Sequence, residues 1–277
     1  MGIRSERGPS LQASQSAIWA FARTVAPGTL SGFVAGAIVG GAGSRIAMRI
    51  AGIAAGDALQ GAETEAGFFV GEITADGTVS LVILGGFVGA LGGLLYLAAR
   101  RWMADAGRWR GLAFGALILA IYGSAIVERD NPDFHRFGPP LLNIATFASL
   151  FVFFGLLVAP LFERIERALP PPSTERSGLG ARAAQAFGLL LVLPAVMSIG
   201  FVAGEGDAIL LLLPYVLVVM PIASLLLARA AGRFDRLSDF RGHRLAMGAA
   251  LGVLALPVAL GLVLDVRAVA DIFGAER

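Results

Sequence analysis

Long apolar runs alternate with short polar segments along most of the chain. Several of these runs reach the ~20 apolar residues that are needed to cross the hydrocarbon core of a bilayer. The pattern predicts an all-α, polytopic membrane helical bundle of about seven transmembrane helices. The predicted spans cover residues 29–55, 79–99, 111–128, 141–162, 183–204, 208–228 and 245–265.

Charged residues between the predicted spans are sorted by sign. Arginines concentrate before the first span and after the second, fourth and sixth, whereas the other connecting segments carry most of the carboxylates. Short loops rich in positive charge face the cytoplasm. We therefore expect the N-terminus to be cytoplasmic and the C-terminus to lie outside. Trp19, Trp102 and Trp109 all fall on the predicted cytoplasmic side, as expected for aromatic residues at a membrane interface.

Composition divides the chain into four parts. Residues 1–28 are predicted to be a cytoplasmic tail, either an interfacial helix or a disordered segment. Residues 29–162 form a glycine-rich four-helix membrane half, residues 163–182 a proline-rich cytoplasmic linker, and residues 183–277 a three-helix membrane half rich in leucine and proline. Pro194 lies inside the fifth predicted span and is expected to kink it.

The overall amino-acid usage narrows the class of protein. Of the 277 residues, 56% are hydrophobic and only 15% are charged, against roughly 25% charged residues in soluble domains. This usage excludes a soluble enzyme, a disordered chain and a nucleic-acid-binding domain. The sequence has no cysteine, so disulfides and Cys-ligated metals are excluded. Its arginine, glycine and alanine bias is typical of a GC-rich bacterial genome, and we expect a multi-pass protein of the bacterial inner (plasma) membrane.

Small residues recur every four positions in the first two spans. These rows are Gly32, Gly36, Gly40 and Ser44 in the first span, and Gly85, Gly89 and Gly93 in the second. Small residues one turn apart let two helices approach closely, and van der Waals contact is the main driving force for association in lipid. We expect the two spans to pack against each other within one subunit. A glycine-lined pore or an oligomer interface is the alternative.

Two arginines interrupt the apolar pattern of the first span. Arg45 and Arg49 lie one turn apart and share a helix face. At ~1.5 Å rise per residue, Arg45 lies about 24 Å along the helix from Thr29, in the outer part of the hydrocarbon region. An unpaired arginine at such a depth costs at least ~2–3 kcal/mol on insertion scales. We therefore expect both arginines to have polar partners.

The predicted topology offers carboxylates at the same depth as these arginines. Glu128 ends the third span and Asp265 ends the seventh, both on the outer side. Together with Asn143, just inside the fourth span, they form a hypothetical binding site for an anion or a lipid headgroup, because paired guanidinium groups suit phosphate and carboxylate. A structural ion-pair clamp is one alternative reading of Arg45 and Arg49, and snorkelling to the interface is another. Asn143 could equally bond a neighbouring helix.

The loop between the third and fourth spans is rich in polar side chains. Asp130, Asp133 and His135 are candidate ligands for a divalent cation, although their spacing matches no standard metal motif. The neighbouring Asn131-Pro132 and Pro139-Pro140 also fit an ordinary turn. The sequence contains no phosphate-binding loop, dinucleotide fingerprint or nucleophile elbow, and it predicts no cofactor.

Three segments resemble uncharacterised bacterial multi-pass membrane proteins. They are Arg45–Ile50 (RIAMRI), Gly92–Tyr96 (GGLLY) followed by Arg100-Arg101-Trp102, and the Asn131-Pro132-Asp133-Phe134 loop. The resemblance implies the same helical-bundle fold and carries no established activity.

We expect a non-enzymatic membrane protein that binds or passes a small anionic or lipidic ligand near the outer mouth of the bundle. Two alternatives remain. One is a structural or interaction subunit that uses the glycine rows to bind another membrane protein or a second copy of itself. The other is an outer-face metal-dependent enzyme. The lipid bilayer is the expected surrounding in every case, and nucleic acid is not an expected partner.

Overall fold

A computed structural model describes residues 9–56, 75–123, 138–169 and 178–202, with a few further positions between 259 and 270. All regular elements in these ranges are helical. Four helices are long and apolar enough to cross a membrane, namely Ile18–Ala55, Gly77–Ala99, Pro140–Ala168 and Leu179–Ser198. The prediction of an all-α fold with helices long and apolar enough to span a membrane is thereby confirmed for the described residues. The predicted span 208–228 and most of the span 245–265 lie outside the described residues.

The first candidate span consists of two α-helices with a π-helical segment between them. A short 3₁₀ helix follows the second candidate span, and the fifth predicted span is divided into two helices. The elements are α1 (Pro9–Gly36), the π segment (Ala37–Gly43), α2 (Ser44–Ala55), α3 (Ala75–Ala99), the 3₁₀ helix (Ala104–Trp109), α4 (Arg110–Tyr122), α5 (Pro140–Ala168), α6 (Leu179–Leu190) and α7 (Val192–Val202).

The first helix begins at Pro9 and runs through the boundary that was expected at residue 29. It continues through Pro27, whose missing N–H and ring would interrupt a helix in water. The Thr29 hydroxyl donates to the carbonyl oxygens of Val25 (3.4 Å) and Ala26 (3.3 Å). Such side-chain bonds satisfy backbone groups near a proline in a membrane helix. The described part of the predicted tail is therefore helical.

The fourth predicted span is also longer than expected. Helix α5 ends at Ala168 rather than at residue 162, so residues 163–168 of the predicted linker are helical. The two carboxylates in this extra turn are paired with arginines of other segments. Glu166 accepts from Arg100 at 2.7 Å and Glu163 lies 3.0 Å from Arg110. These pairs fix the charged end of α5 against α4 and the end of α3.

The other two differences involve the third and fifth predicted spans. Helix α4 ends at Tyr122, and the rest of the predicted span, to residue 128, lies largely outside the described residues. The fifth span is interrupted at Leu191, between α6 and α7. Pro194 cannot donate a backbone hydrogen bond to the carbonyl three to four residues earlier. The interruption therefore lies where the proline was expected to kink the helix.

The glycine rows of α1 and α3 pack against each other within one chain. A Cβ atom added at Gly32 would lie 2.7 Å from the Gly93 nitrogen, and one added at Gly89 would lie 2.5 Å from the Gly36 Cα. Both distances are well below the ~3.5–4.0 Å of a favourable carbon contact. Only glycine allows the two backbones to come this close. The two rows therefore pack against each other within one chain, which is one of the arrangements considered for them from the sequence.

A second close crossing joins α4 to α5. Gly111 and Gly115 of α4 face Gly155 of α5, where an added Cβ would lie 2.5 Å from the Gly115 nitrogen. The spacing of Gly111 and Gly115 in the sequence indicates the face on α4. Gly155 is a single glycine within a phenylalanine-rich run, and no row in the sequence marks it.

An aromatic cluster joins the α1–α3 pair and the α4–α5 pair, which we call the glycine-crossed pairs, at one end of the bundle. The Tyr96 ring lies edge-on to Phe114 (5.1 Å between centroids) and to Phe162 (5.4 Å). Phe154 packs on Phe114 at 6.4 Å. The Arg100 guanidinium lies 4.7 Å above the Phe162 ring. We call this end of the bundle, with its Arg100–Glu166 bridge, the Arg100 end.

Candidate ligand-binding cavity

Contacts between helices set the height of each candidate residue along the bundle. An added Cβ at Gly41 would touch Val82 of α3, one at Gly43 would touch Leu150 of α5, and one at Gly138 would touch Ala54. Counting along the helices from these contacts places Arg45 level with the first turn of α3. This is the end of the bundle opposite the Arg100 end, and we call it the Arg45 end.

A cavity of about 380 Å³ lies between the two glycine-crossed pairs. Its volume falls within the ~300–1,000 Å³ typical of small-molecule pockets. Along α3 it extends from Leu81 to Leu95, which is about 21 Å at ~1.5 Å rise per residue. Among the described residues that line it, only Ser44, Tyr122 and Ser198 carry a polar side-chain group. The cavity is therefore long, narrow and almost entirely apolar.

The shape of the cavity follows from how the helices cross. The α1–α3 pair and the α4–α5 pair meet at the aromatic cluster of the Arg100 end, where the buried Leu95, Ile118 and Phe154 close the cavity. Farther along α3, the cavity is lined by Leu84, Gly85 and Val88. Of these, Val88 is 38% exposed. The cavity therefore reaches the lateral surface of the bundle at Val88.

The π segment borders the cavity and determines the direction of the residues that follow. It covers the seven residues Ala37–Gly43, and π-helical turns are rare and frequently lie at functional sites. The Ser44 hydroxyl donates to the carbonyl oxygens of Gly40 and, at 2.9 Å, of Gly41. This hydroxyl therefore satisfies carbonyls at the end of the irregular turn.

The π segment accommodates one extra residue, so the residues that follow it are rotated back by about 100° relative to a continuous α-helix. Without the π segment, Arg45 would point where Ile46 now points, and Ile46 is 62% exposed on the lateral surface. With the segment, Arg45 turns into the bundle and is only 5% exposed. The π segment therefore places the Arg45 side chain inside rather than in lipid.

The other predicted site residues differ in their surroundings. Arg49 is exposed, one turn beyond the buried Arg45. Asn143, in the first turn of α5, is 3% exposed and lies at about the height of Arg49. Asp265 abuts the end of α4, because a Cβ added at Gly123 would lie 2.9 Å from its carboxylate. Four of the predicted residues thus lie at the Arg45 end.

The remaining predicted residues are not among those that the structure describes. Glu128, Asp130, Asp133 and His135 all lie in the segment 124–137. Within the described ranges, no group of three or more histidine, aspartate or glutamate side chains could hold a metal ion. The predicted metal site in the outer loop stays a prediction.

Two residues with clear roles in the structure, Tyr122 and Arg23, were not singled out from the sequence. Tyr122 lines the cavity, as Ser44 does, but as a tyrosine near the end of an apolar run it has no distinguishing spacing. Arg23 donates from Nη2 to the carbonyl oxygens of Glu166 and Leu169, both at 2.9 Å. It thereby caps the end of α5, where carbonyls lack helical partners. This role of Arg23 was not predicted because the residue lies in the predicted tail, outside the predicted spans.

The cavity suits a molecule with an apolar tail and an anionic head. The tail would replace empty space along α3, and the head would lie near a buried guanidinium, whose five N–H donors match phosphate or carboxylate oxygens. Comparison with protein-family models, with curated proteins and with solved structures finds no match for this chain.

Proposed function

We propose that this protein is a non-enzymatic, multi-pass protein of the bacterial inner membrane that binds an anionic amphiphile between its helix pairs. The apolar tail of the ligand lies in the cavity, and its head lies at the Arg45 end beside Arg45 and Arg49. The observation that carries the proposal is the elongated apolar cavity that ends one residue from a buried arginine.

The tail portion of the ligand is inferred from the shape of the cavity. The long axis of the cavity runs parallel to the helices, which is also the direction of lipid acyl chains in a bilayer. Because lipid tails are already in an apolar solvent, their transfer into the cavity gains little hydrophobic free energy. Close van der Waals fit therefore has to supply the selectivity for the tail.

The head portion of the ligand is inferred from charge. Arg45 follows Ser44, and Tyr122 supplies a hydroxyl group at the same end of the cavity. Charge-assisted hydrogen bonds to arginine are roughly twice as strong as neutral ones. In this apolar setting they favour a carboxylate or phosphate head over a neutral one. The exposed Arg49 extends the positive surface toward the membrane interface.

Seven spans, with a cytoplasmic N-terminus and the C-terminus outside, are part of the proposal. The arginines of the described helix ends support the Arg100 end as the cytoplasmic one. Because the chain has no native cysteine, single introduced cysteines would report sidedness without background. Ala104→Cys should react with an impermeant maleimide from the cytoplasmic side, and Ala54→Cys, at an exposed position in the last turn of α2, from the outside.

The role of a subunit that binds partners through its glycine rows is less well supported. Gly32, Gly36 and Gly89 are buried against the opposite row. They are therefore used within the chain, and a second protein would need to bind another face.

The binding proposal is tested by blocking the opening of the cavity. Val88→Trp adds a large side chain where the cavity meets the surface, whereas Ile83→Trp adds it on the exposed surface of α3 away from the cavity lining. Native mass spectrometry in neutral detergent would follow the binding of oleate, with oleyl alcohol as the uncharged comparison. We expect oleate to bind wild type and Ile83→Trp at one site and to bind Val88→Trp at least tenfold more weakly.

The charge requirement has its own variant. Arg49→Gln leaves the buried arginine in place and should weaken the binding of oleate but not of the alcohol. Equal binding of oleate to the Val88→Trp and Ile83→Trp proteins would contradict binding in the cavity. Equal binding of oleate and oleyl alcohol to wild type would contradict recognition of the anionic head.

A further inference from the structure

The Arg100 end carries a second charged surface, separate from the cavity. Three helix ends meet there, because Arg100 at the end of α3 bridges Glu166 of α5, and Arg110 at the start of α4 bridges Glu163. Four more arginines, in the segment between α3 and α4 and in the last turns of α5, have exposed side chains, and we call them, with Trp109, the arginine face. Its arginines are Arg101, Arg108, Arg164 and Arg167.

The charge at this end is unbalanced. Its described segments contain eight arginines and three carboxylates. Two of these carboxylates, Glu163 and Glu166, are engaged by Arg110 and Arg100. Only Asp105 is left among the described residues to offset the arginine face. The surface is therefore strongly positive after its internal pairs have formed.

The arginine face lies where the apolar surface of the helices ends. The apolar part of α3 stops at Ala99, and that of α5 stops at Phe162, just before its charged last turns. Trp109 is 57% exposed, and the Arg108 guanidinium lies 5.0 Å from its ring. Tryptophan and arginine at such a boundary occupy the headgroup level of a bilayer.

We propose that the arginine face binds the headgroups of anionic phospholipids in the adjacent leaflet and so holds an acidic lipid shell around the Arg100 end. Each arginine near a membrane surface adds attraction for acidic lipid, and four exposed arginines at one end of the bundle act together. This site is about 20 Å or more from Arg45 along the helices. It does not depend on the occupancy of the cavity.

Tryptophan fluorescence provides a local test of this proposal. Trp19→Phe and Trp102→Phe leave Trp109 as the single tryptophan, and this protein is reconstituted into phosphatidylcholine bilayers. A minor fraction of the lipid is then replaced by phosphatidylglycerol or phosphatidylcholine with brominated acyl chains, which quench nearby indole rings. We expect severalfold more efficient quenching by brominated phosphatidylglycerol, and the difference should shrink in high salt.

Charge neutralisation distinguishes a lipid-binding face from general attraction. Arg101→Gln together with Arg164→Gln should abolish most of the preference for phosphatidylglycerol, and Arg101→Lys with Arg164→Lys should retain it. Arg267→Gln, at an exposed position two residues from Asp265 at the opposite end, is the matched control and should leave the preference unchanged. Equal quenching by the two lipids in the protein with the single tryptophan Trp109 overturns the proposal, as expected if the face binds a soluble polyanion instead. A preference that survives the double glutamine variant overturns it as well.

Discussion

Replacing one glycine at the α1–α3 crossing should separate two membrane helices. Gly89→Ala adds a single methyl group at a position where the neighbouring atoms belong to the backbone of α1. That methyl carbon would lie 2.5 Å from the Gly36 Cα and 2.9 Å from the Gly36 nitrogen. Because a backbone cannot rotate away as a side chain can, the helices must move apart by roughly 1 Å to restore a ~3.5–4.0 Å contact.

The expected size of the effect follows from overpacking of well-packed interiors. Such insertions typically cost about 1–3 kcal/mol, and the movement also loosens the neighbouring contact of Gly32 with Gly93. Gly180→Ala is the matched control, because no other atoms lie within 4 Å of an added Cβ there. That change should leave stability unaltered or raise it by about 0.5–1 kcal/mol, since alanine is the better helix former.

The assay is reversible unfolding in mixed micelles with increasing dodecyl sulfate, followed by tryptophan fluorescence. We expect the free energy of unfolding to fall for Gly89→Ala and not for Gly180→Ala. If the two variants unfold at the same detergent composition, the close crossing of α1 and α3 is not a determinant of stability, and the packing argument fails.

Three other predictions concern the ends of the helices and the π segment. Arg23→Met should lower the free energy of unfolding by about 1–3 kcal/mol, because two carbonyls at the end of α5 lose a charged donor, whereas Arg101→Met should be near neutral in the same micelle unfolding assay. A double-mutant cycle of Arg100→Gln and Glu166→Gln should give a coupling of at most ~1 kcal/mol, because both side chains are about one-third exposed; a larger value would contradict this. Deleting the exposed Ala42 should convert the π segment to α-helix and keep Arg45 inside. Inserting one alanine there should instead turn Arg45 toward lipid at a cost of at least ~2–3 kcal/mol. Equal stabilities of the two variants would contradict the role of the π segment in burying Arg45.

The helical class was predictable from the sequence for a physical reason. In a bilayer each backbone polar group needs an internal partner, so a long apolar run has few options other than a helix. The four-residue spacing of the glycines likewise marked the faces that can approach closely. Both inferences rest on local patterns that packing does not override.

The features that escaped sequence reasoning depend on tertiary structure. Pro27, Gly28 and Thr29 look like a helix boundary by the rules for water-soluble helices, yet the Thr29 hydroxyl bonds and the packing of Gly28 on α3 keep α1 continuous. The π segment has no periodic signature in Ala37–Gly43. The burial of Arg45 follows from that segment and could not be inferred from spacing alone.

The cavity was also beyond sequence reasoning. It exists because two tightly crossed pairs meet at Tyr96, Phe114 and Phe162 and diverge beyond them. No single helix encodes this divergence. Only the polar group at its end, Arg45, was visible as an exception to the apolar pattern.

Photo-crosslinking with fatty acids tests whether an anionic amphiphile occupies the cavity with its head at Arg45. Two probes carry a diazirine either at the end of the chain or next to the carboxylate, and mass spectrometry identifies the labelled residues. We expect the chain-end diazirine to label residues near Leu95 and Ile118. The diazirine next to the carboxylate should label residues near Ser44 and Tyr122. Labelling by both probes that is confined to lateral surface residues such as Val79 and Leu193 would contradict an amphiphile bound in the cavity with its head at Arg45.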